Sequence, residues 1–107
     1  MNVTLRIVAA AEGKRLNSKF RRKSQPTNVL SFSYGSEGDV VLCHPVIARE
    51  ARTQGKSVAA HYAHLVVHGV LHLRGHDHVT RKQAARMERA EIRILERIGL
   101  GNPYELK

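Results

Sequence analysis

The stretch His68-Gly69-Val70-Leu71-His72-Leu73-Arg74-Gly75-His76-Asp77-His78 decides how the rest of the chain is read. At a helical advance of about 100° per residue, His68 and His72 stand one turn apart on one face, so both imidazoles can reach one ion. Gly75 follows the second histidine by three residues. A glycine there can take the left-handed conformation that ends a helix and turns the chain back, which brings His78 round as a third ligand. Three nitrogens leave a fourth position open, the pattern of a catalytic zinc rather than a closed structural one. A lone histidine pair at this spacing is usually no more than a histidine-rich helix. Two histidines, a turn glycine and a third histidine in register point to a metal site holding one zinc per chain.

The same spacing, H-x3-H-x2-G-x2-H, occurs in metzincin proteases, where a glutamate follows the first histidine as general base. Here that position is Gly69. The ligand pattern therefore says hydrolytic metal site, and the missing base argues against peptide hydrolysis.

With 107 residues, 42% of them hydrophobic, the chain suits a single domain spanning 1–107 around one core. No apolar run approaches the roughly 20 residues that cross a bilayer. The opening Met1-Asn2-Val3-Thr4-Leu5-Arg6-Ile7-Val8 alternates like a strand and carries Arg6 where a signal peptide needs apolar continuity. Cys43 is the only cysteine, so neither an internal disulfide nor a thiolate cluster can form, and a reducing cytoplasmic home is the default. Eighteen Lys and Arg against nine Asp and Glu give a net charge of +9 and a pI near 10.5. Such a field favours polyanions. Lys14, Arg15, Lys19, Arg21, Arg22 and Lys23 crowd into ten residues, while Glu88, Glu91 and Glu96 lie towards the end. That clustering favours a phosphate-binding patch over a plain solvated face. With five aromatics in the chain, base stacking along a sheet is disfavoured.

In chain order, Val3 to Ala9 reads as a strand with Val3, Leu5, Ile7 and Ala9 on one face. Ala10 to Phe20 reads as a short basic helix and Arg21 to Thr27 as a loop. Asn28 to Ser33 is a strand, Tyr34 to Gly38 a turn, and Asp39 to Cys43 the hairpin partner. Pro45 suits a helix start, and that helix runs to about Thr53. Ser57 caps the next, which continues to Leu73. On it Ala59, Ala63, Val66, Val70 and Leu73 form a core face. His61, His64, His68 and His72 form a second stripe within about 80°, lining a polar cleft. Thr80 caps a final helix to about Ile98, with Met87, Ile94, Leu95 and Ile98 buried and Gly99 as its stop. The tail with Pro103 and Tyr104 reads as a loosely docked extension. The fold class is α+β: a small mixed sheet of about three strands packed against helices, with the metal site at the end of a central histidine-bearing helix.

His64 and His61 extend the stripe away from the glycine turn. They line the cleft or hydrogen-bond to ligands, and a metal pair at His64 and His68 is geometrically possible but lacks the turn and the third ligand. His76 faces substrate or solvent, and His44 is a helix-start residue. Asp77 either accepts a ring N–H from a ligating histidine or caps its loop.

These residues resemble the signature of the YbeY family of bacterial metal-dependent endoribonucleases and ribosomal RNA maturation factors. Phe20-Arg21 followed by Pro26-Thr27-Asn28-Val29-Leu30-Ser31-Phe32 is similar to a second family block, and Gly38-Asp39-Val40-Val41 to a third. The similarity runs from about Val3 to Tyr104. It implies that His68, His72 and His78 bind zinc and that Arg21 is the functional arginine facing the metal. Family members usually carry a further strand and helix ahead of the segment matching Val3, and His76 stands where a tyrosine is frequent. The implied activity is zinc-dependent, single-strand-specific endoribonuclease cleavage in maturation of the 16S rRNA 3′ end and in ribosome quality control. RNA and the ribosome or its small-subunit proteins would be the partners, with no membrane involved.

On that reading Arg21 offers a planar fork to the scissile phosphate. Lys14, Arg15, Lys19, Arg22, Lys23 and Arg74 hold the flanking RNA backbone. Two other readings stay open: a non-catalytic ribosome- or RNA-binding factor stabilised by zinc, and a metalloprotease.

Overall fold

Three strands form where β-branched and aromatic residues run together: β1 (Asn2–Val8), β2 (Val29–Tyr34) and β3 (Glu37–Cys43). The computed structural model describes residues 2–9, 15, 28–76 and 79–104. The sheet order is β1-β3-β2. β2 and β3 are an antiparallel hairpin with Leu30 opposite Val41, turned at Gly35, whose φ of 60° suits a residue without a side chain. β1 pairs parallel to β3, with Leu5 opposite Val40. The sheet is therefore mixed, as expected.

Three helices follow. α1 (His44–Gln54) leaves β3 directly, with Pro45 in its first turn, where the missing N–H costs nothing. α2 (Val58–Leu73) starts at Ser57, whose Oγ accepts from the Ala60 N–H at 3.1 Å. α3 (Arg81–Arg97) opens on a reciprocal capping box between Thr80 and Gln83. Among the described residues no helix is long and apolar enough to cross a membrane.

Side chains on β3 alternate, and so divide the core. Val41 and Cys43 join Val8, Leu30 and Val46 on one side. Val40 and Leu42 join Ile47 and Leu65 on the other, beneath α2, with Val66, Val70 and Leu73 packed around them. The helix comes so close to the sheet that a Cβ built on Gly69 would lie 2.8 Å from Val40 Cγ1 and 3.1 Å from Ser31 Oγ. The Ser31 hydroxyl donates to the Gly69 carbonyl at 3.1 Å, fastening α2 to β2. Position 69 thus faces the sheet, and a glutamate there has no room. The lack of a protease-type base follows from how the helix is seated.

Several apolar expectations change. The face of β1 with Val3, Leu5 and Ile7 is 37%, 52% and 66% exposed, and the residue that enters the core is Val8, on the opposite face. Ala59 is exposed rather than packed, because it stands in the first turn of α2, while Val66 and Val70 farther along the same face reach the core. On α3, Ile94 and Ile98 are exposed, and the buried line at i, i+4 spacing is Met87, Glu91 and Leu95. The segments expected as a basic helix and loop between residues 10 and 27 lie outside the described residues, apart from exposed Arg15.

Gly69→Ala tests the close approach. Helix propensity alone would add about 1 kcal/mol. Overpacking against the stiff, fully buried Val40 costs about 1–3 kcal/mol, so we expect a net loss of stability in urea unfolding. A higher midpoint for the variant would show that the helix can lift off the sheet at little cost.

Candidate metal centre

α2 ends in a turn that reverses the chain beside its own last histidine. Gly75 has φ 96°; its N–H reaches the His72 carbonyl at 3.0 Å, and the His76 N–H reaches the Leu71 carbonyl at 3.0 Å. These two bonds are the Schellman arrangement, which satisfies carbonyls that a helix end leaves open. The expected glycine turn is present. His78 and Asp77, which follow it, lie outside the described residues, as do Arg21, Lys14, Lys19, Arg22 and Lys23. Arg15 and Arg74 are exposed.

Before the turn, the helix brings His68 and His72 together with their Nε2 atoms 3.2 Å apart. The other face of the His68 ring is held: its Nδ1 lies 2.7 Å from Glu91 Oε1. With Glu91 ionised, Nδ1 carries the proton and donates, so the His68 Nε2 lone pair points towards His72. Glu91 Oε2 is 2.7 Å from His64 Nε2 and accepts the Tyr104 hydroxyl proton at 2.6 Å. One carboxylate on α3 thus grips two histidines of α2 and the chain after α3.

Glu91 is fully buried. Burial pushes its carboxyl pKa up, but the hydrogen bonds from His64, His68 and Tyr104, with the charge of His68, overcome that and hold it at about 2 against an ordinary 4.5. Tyr104 moves the opposite way: burial and its bond to the Glu91 carboxylate raise its pKa. The tail expected to dock loosely is therefore fastened as far as Tyr104, since Lys56 Nζ also donates to the Pro103 carbonyl at 3.3 Å, and Tyr104 N–H closes a local turn on Asn102 Oδ1 at 2.8 Å.

His61 leaves the cleft altogether. It is buried against α1, with Nε2 3.0 Å from Glu50 Oε1, and Asn28 donates to the same carboxylate at 3.1 Å. His44 stacks on Tyr62, its Nδ1 2.6 Å from the hydroxyl. Neither Glu91 nor Tyr104 was singled out from sequence. The available signal was a glutamate placed between Met87 and Leu95 at core spacing.

His64, His68 and Glu91 offer donor atoms within 4.8 Å of one another, a group that could hold a metal ion. His68 borders two places for one, Glu91 and His64 on its Nδ1 side and His72 on its Nε2 side. Ligand atoms around a tetrahedral ion with bonds of about 2.0–2.1 Å stand about 3.3 Å apart. The Nε2 atoms of His68 and His72 already have that spacing. On the Nδ1 side, contacts of 2.7 Å would have to open to admit an ion.

The endoribonuclease YbeY family model matches residues 1–99. A protein of Nitrosomonas eutropha named endoribonuclease YbeY is 50% identical over 109 residues, covering 98% of this chain and 77% of that protein. Another of that name from Aromatoleum aromaticum is 52% identical over 106 residues, covering 95% of this chain and 69% of the relative. The solution structure of TM1509 from Thermotoga maritima superposes with a TM-score of 0.59 at 23% identity, covering 96% of this chain and 77% of that one, and so shares the fold.

The Glu91 network sets a direction for acid sensitivity. The carboxyl titrates lower folded than unfolded, so its stabilisation is complete above about 4.5 and disappears as pH falls towards about 2. In metal-free protein, the stability gap between parent and Glu91→Gln should narrow across that window when urea midpoints are compared. A gap independent of pH would assign the acid response to other groups.

Proposed function

Because the chain belongs to the endoribonuclease YbeY family, we propose that it is a metal-dependent endoribonuclease that cleaves single-stranded RNA in ribosomal RNA maturation. The observation that carries the reading is the pair of Nε2 atoms 3.2 Å apart at the glycine turn, with Glu91 holding the His68 proton on the far nitrogen. That spacing suits two ligands of one tetrahedral ion. His68 and His72 would hold it, with His78 as the third ligand the turn supplies. Three imidazoles with an open position suit zinc; nickel, copper and iron accept the same donors. Bound there, the ion supplies Lewis-acid chemistry, activating water and polarising the phosphoryl group.

The remaining roles belong to the chain's own residues. Glu91 fixes the tautomer and ring orientation of His68. Tyr104 and His64 keep that carboxylate ionised and immobile by hydrogen bonding. His64, with its Nε2 committed to Glu91, acts behind the site rather than as a ligand. Arg21 offers its guanidinium to the scissile phosphate and the charge that develops on it. Lys14, Arg15, Lys19, Arg22, Lys23 and Arg74 steer the RNA backbone. Position 69, closed against the sheet, supplies no carboxylate base, which disfavours the protease reading. The cytoplasm and the small ribosomal subunit are the setting this activity requires, with the 16S rRNA 3′ end as substrate and ribosome quality control as its context.

The test is cleavage of a single-stranded RNA by metal-loaded parent beside His72→Ala purified identically. We expect cleavage by the parent alone, abolished by chelator. Equal cleavage by both would assign the activity to a contaminant. A folded parent that binds metal and RNA without cutting would favour the non-catalytic binding factor.

Glu91→Gln separates the carboxylate's part from the ligands'. Loss of a carboxylate partner to a ligating histidine typically weakens metal affinity by about 10–100-fold. Competition against a chromophoric chelator should show a loss in that range. Unchanged affinity would mean that His68 is oriented without Glu91.

A further inference from the structure

The last helix carries a second feature that chain order conceals. Lys82, Arg86, Arg89, Arg93 and Arg97 recur at steps of three and four residues. At the helical advance they fall within about 80° of arc, as a stripe running about 22 Å along the axis. All five are exposed. The stripe lies opposite the buried line of Met87, Glu91 and Leu95, so α3 turns its carboxylate to the metal centre and its cations to solvent. Glu88 and Glu96 are the exposed acids of the helix, yet among the described residues no carboxylate pairs with the stripe. A face that was merely solvated would ordinarily mix signs at i, i+4. Five unpaired cations in a row repel one another, and an anionic strand laid along them removes that repulsion.

We propose that this outer face of α3 is a docking surface for the phosphate backbone of RNA. It is separate from the cleavage site and one helix thickness behind it, about 10 Å. Arginine predominates, and its planar fork matches phosphate oxygens. Such contacts carry register and affinity rather than sequence, so the surface binds a flanking segment of a long RNA while the cut is made elsewhere. A short RNA that fills only the metal cleft does not touch it.

Binding alone tests this, independently of cleavage. The whole 107-residue chain, metal-loaded, is titrated into fluorescein-labelled single-stranded DNA of mixed sequence. An endoribonuclease leaves that probe intact, and it presents the same phosphates. Arg86→Gln/Arg89→Gln/Arg93→Gln is compared with Arg49→Gln/Arg52→Gln/Arg81→Gln, which removes the same charge from exposed positions off the stripe. Each single-strand phosphate contact contributes about 0.7 to the slope of log affinity against log salt. The stripe triple should therefore lower the slope by about 2 and weaken binding by about 100-fold near 0.1 M salt, and the control triple should do much less. Equal losses in the two triples would show that only net charge matters and would overturn the proposal. So would an unchanged slope. Loss of affinity for polyglutamate with the DNA slope retained would assign the face to an acidic protein and also overturn it.

Discussion

Burying an ionised carboxylate is among the more expensive acts in folding, and Glu91 meets that cost only because its oxygens find two imidazoles and a phenol. The dependence runs both ways. Without Glu91, nothing in α3 would fix which nitrogen of His68 carries the proton, and the His68 Nε2 lone pair would lose its direction. Without His64, His68 and Tyr104, the carboxylate would be an unpaired charge between two helices. The packing of α3 on α2, the docking of the residues after α3 and the orientation of the His68 ring are therefore one interaction seen from three sides.

The opposite side of α2 is fixed by a different constraint. Leu65 and Gly69 turn to the sheet, and the absence of a side chain at 69 lets the helix settle against Val40 and Ser31. The histidines at 64, 68 and 72 lie about a quarter turn away, so seating the helix deeply also sets how far those rings project. A bulkier residue at 69 would lift the stripe away from Glu91. The feature that removes a protease-type base is thus also the one that places the histidines.

Much of this was legible in the chain because the signals were local. Ser57, Pro45, the Thr80–Gln83 pair and Gly75 each act on backbone groups within a turn of themselves, and the helix limits they imply agree with the structure to within a residue or so. The glycine turn after His72 was readable for the same reason. Glu91 was not, because its partners lie 23 and 27 residues earlier and 13 residues later in the chain. An apolar wheel also counts a glutamate as surface. The same wheel chose Ile94 and Ile98, which are exposed, over the carboxylate that is buried. Tyr104 was missed because its anchor is polar, and hydropathy has no way to show a tail held by a hydrogen bond.

The charge of the chain shows the same limit in another form. Read by position, the cations crowd between residues 14 and 23, while Glu88, Glu91 and Glu96, three of the nine acids, fall in the last helix. The fold removes Glu91 from the surface and spends its charge on histidines. What remains on the outer side of α3 is a line of arginines that are never adjacent in sequence and become neighbours only at helical pitch. A buried acid and an exposed basic stripe are thus two consequences of one helix orientation. That orientation buries Met87 and Leu95 and gives the Glu91 carboxylate two imidazoles of α2 as partners.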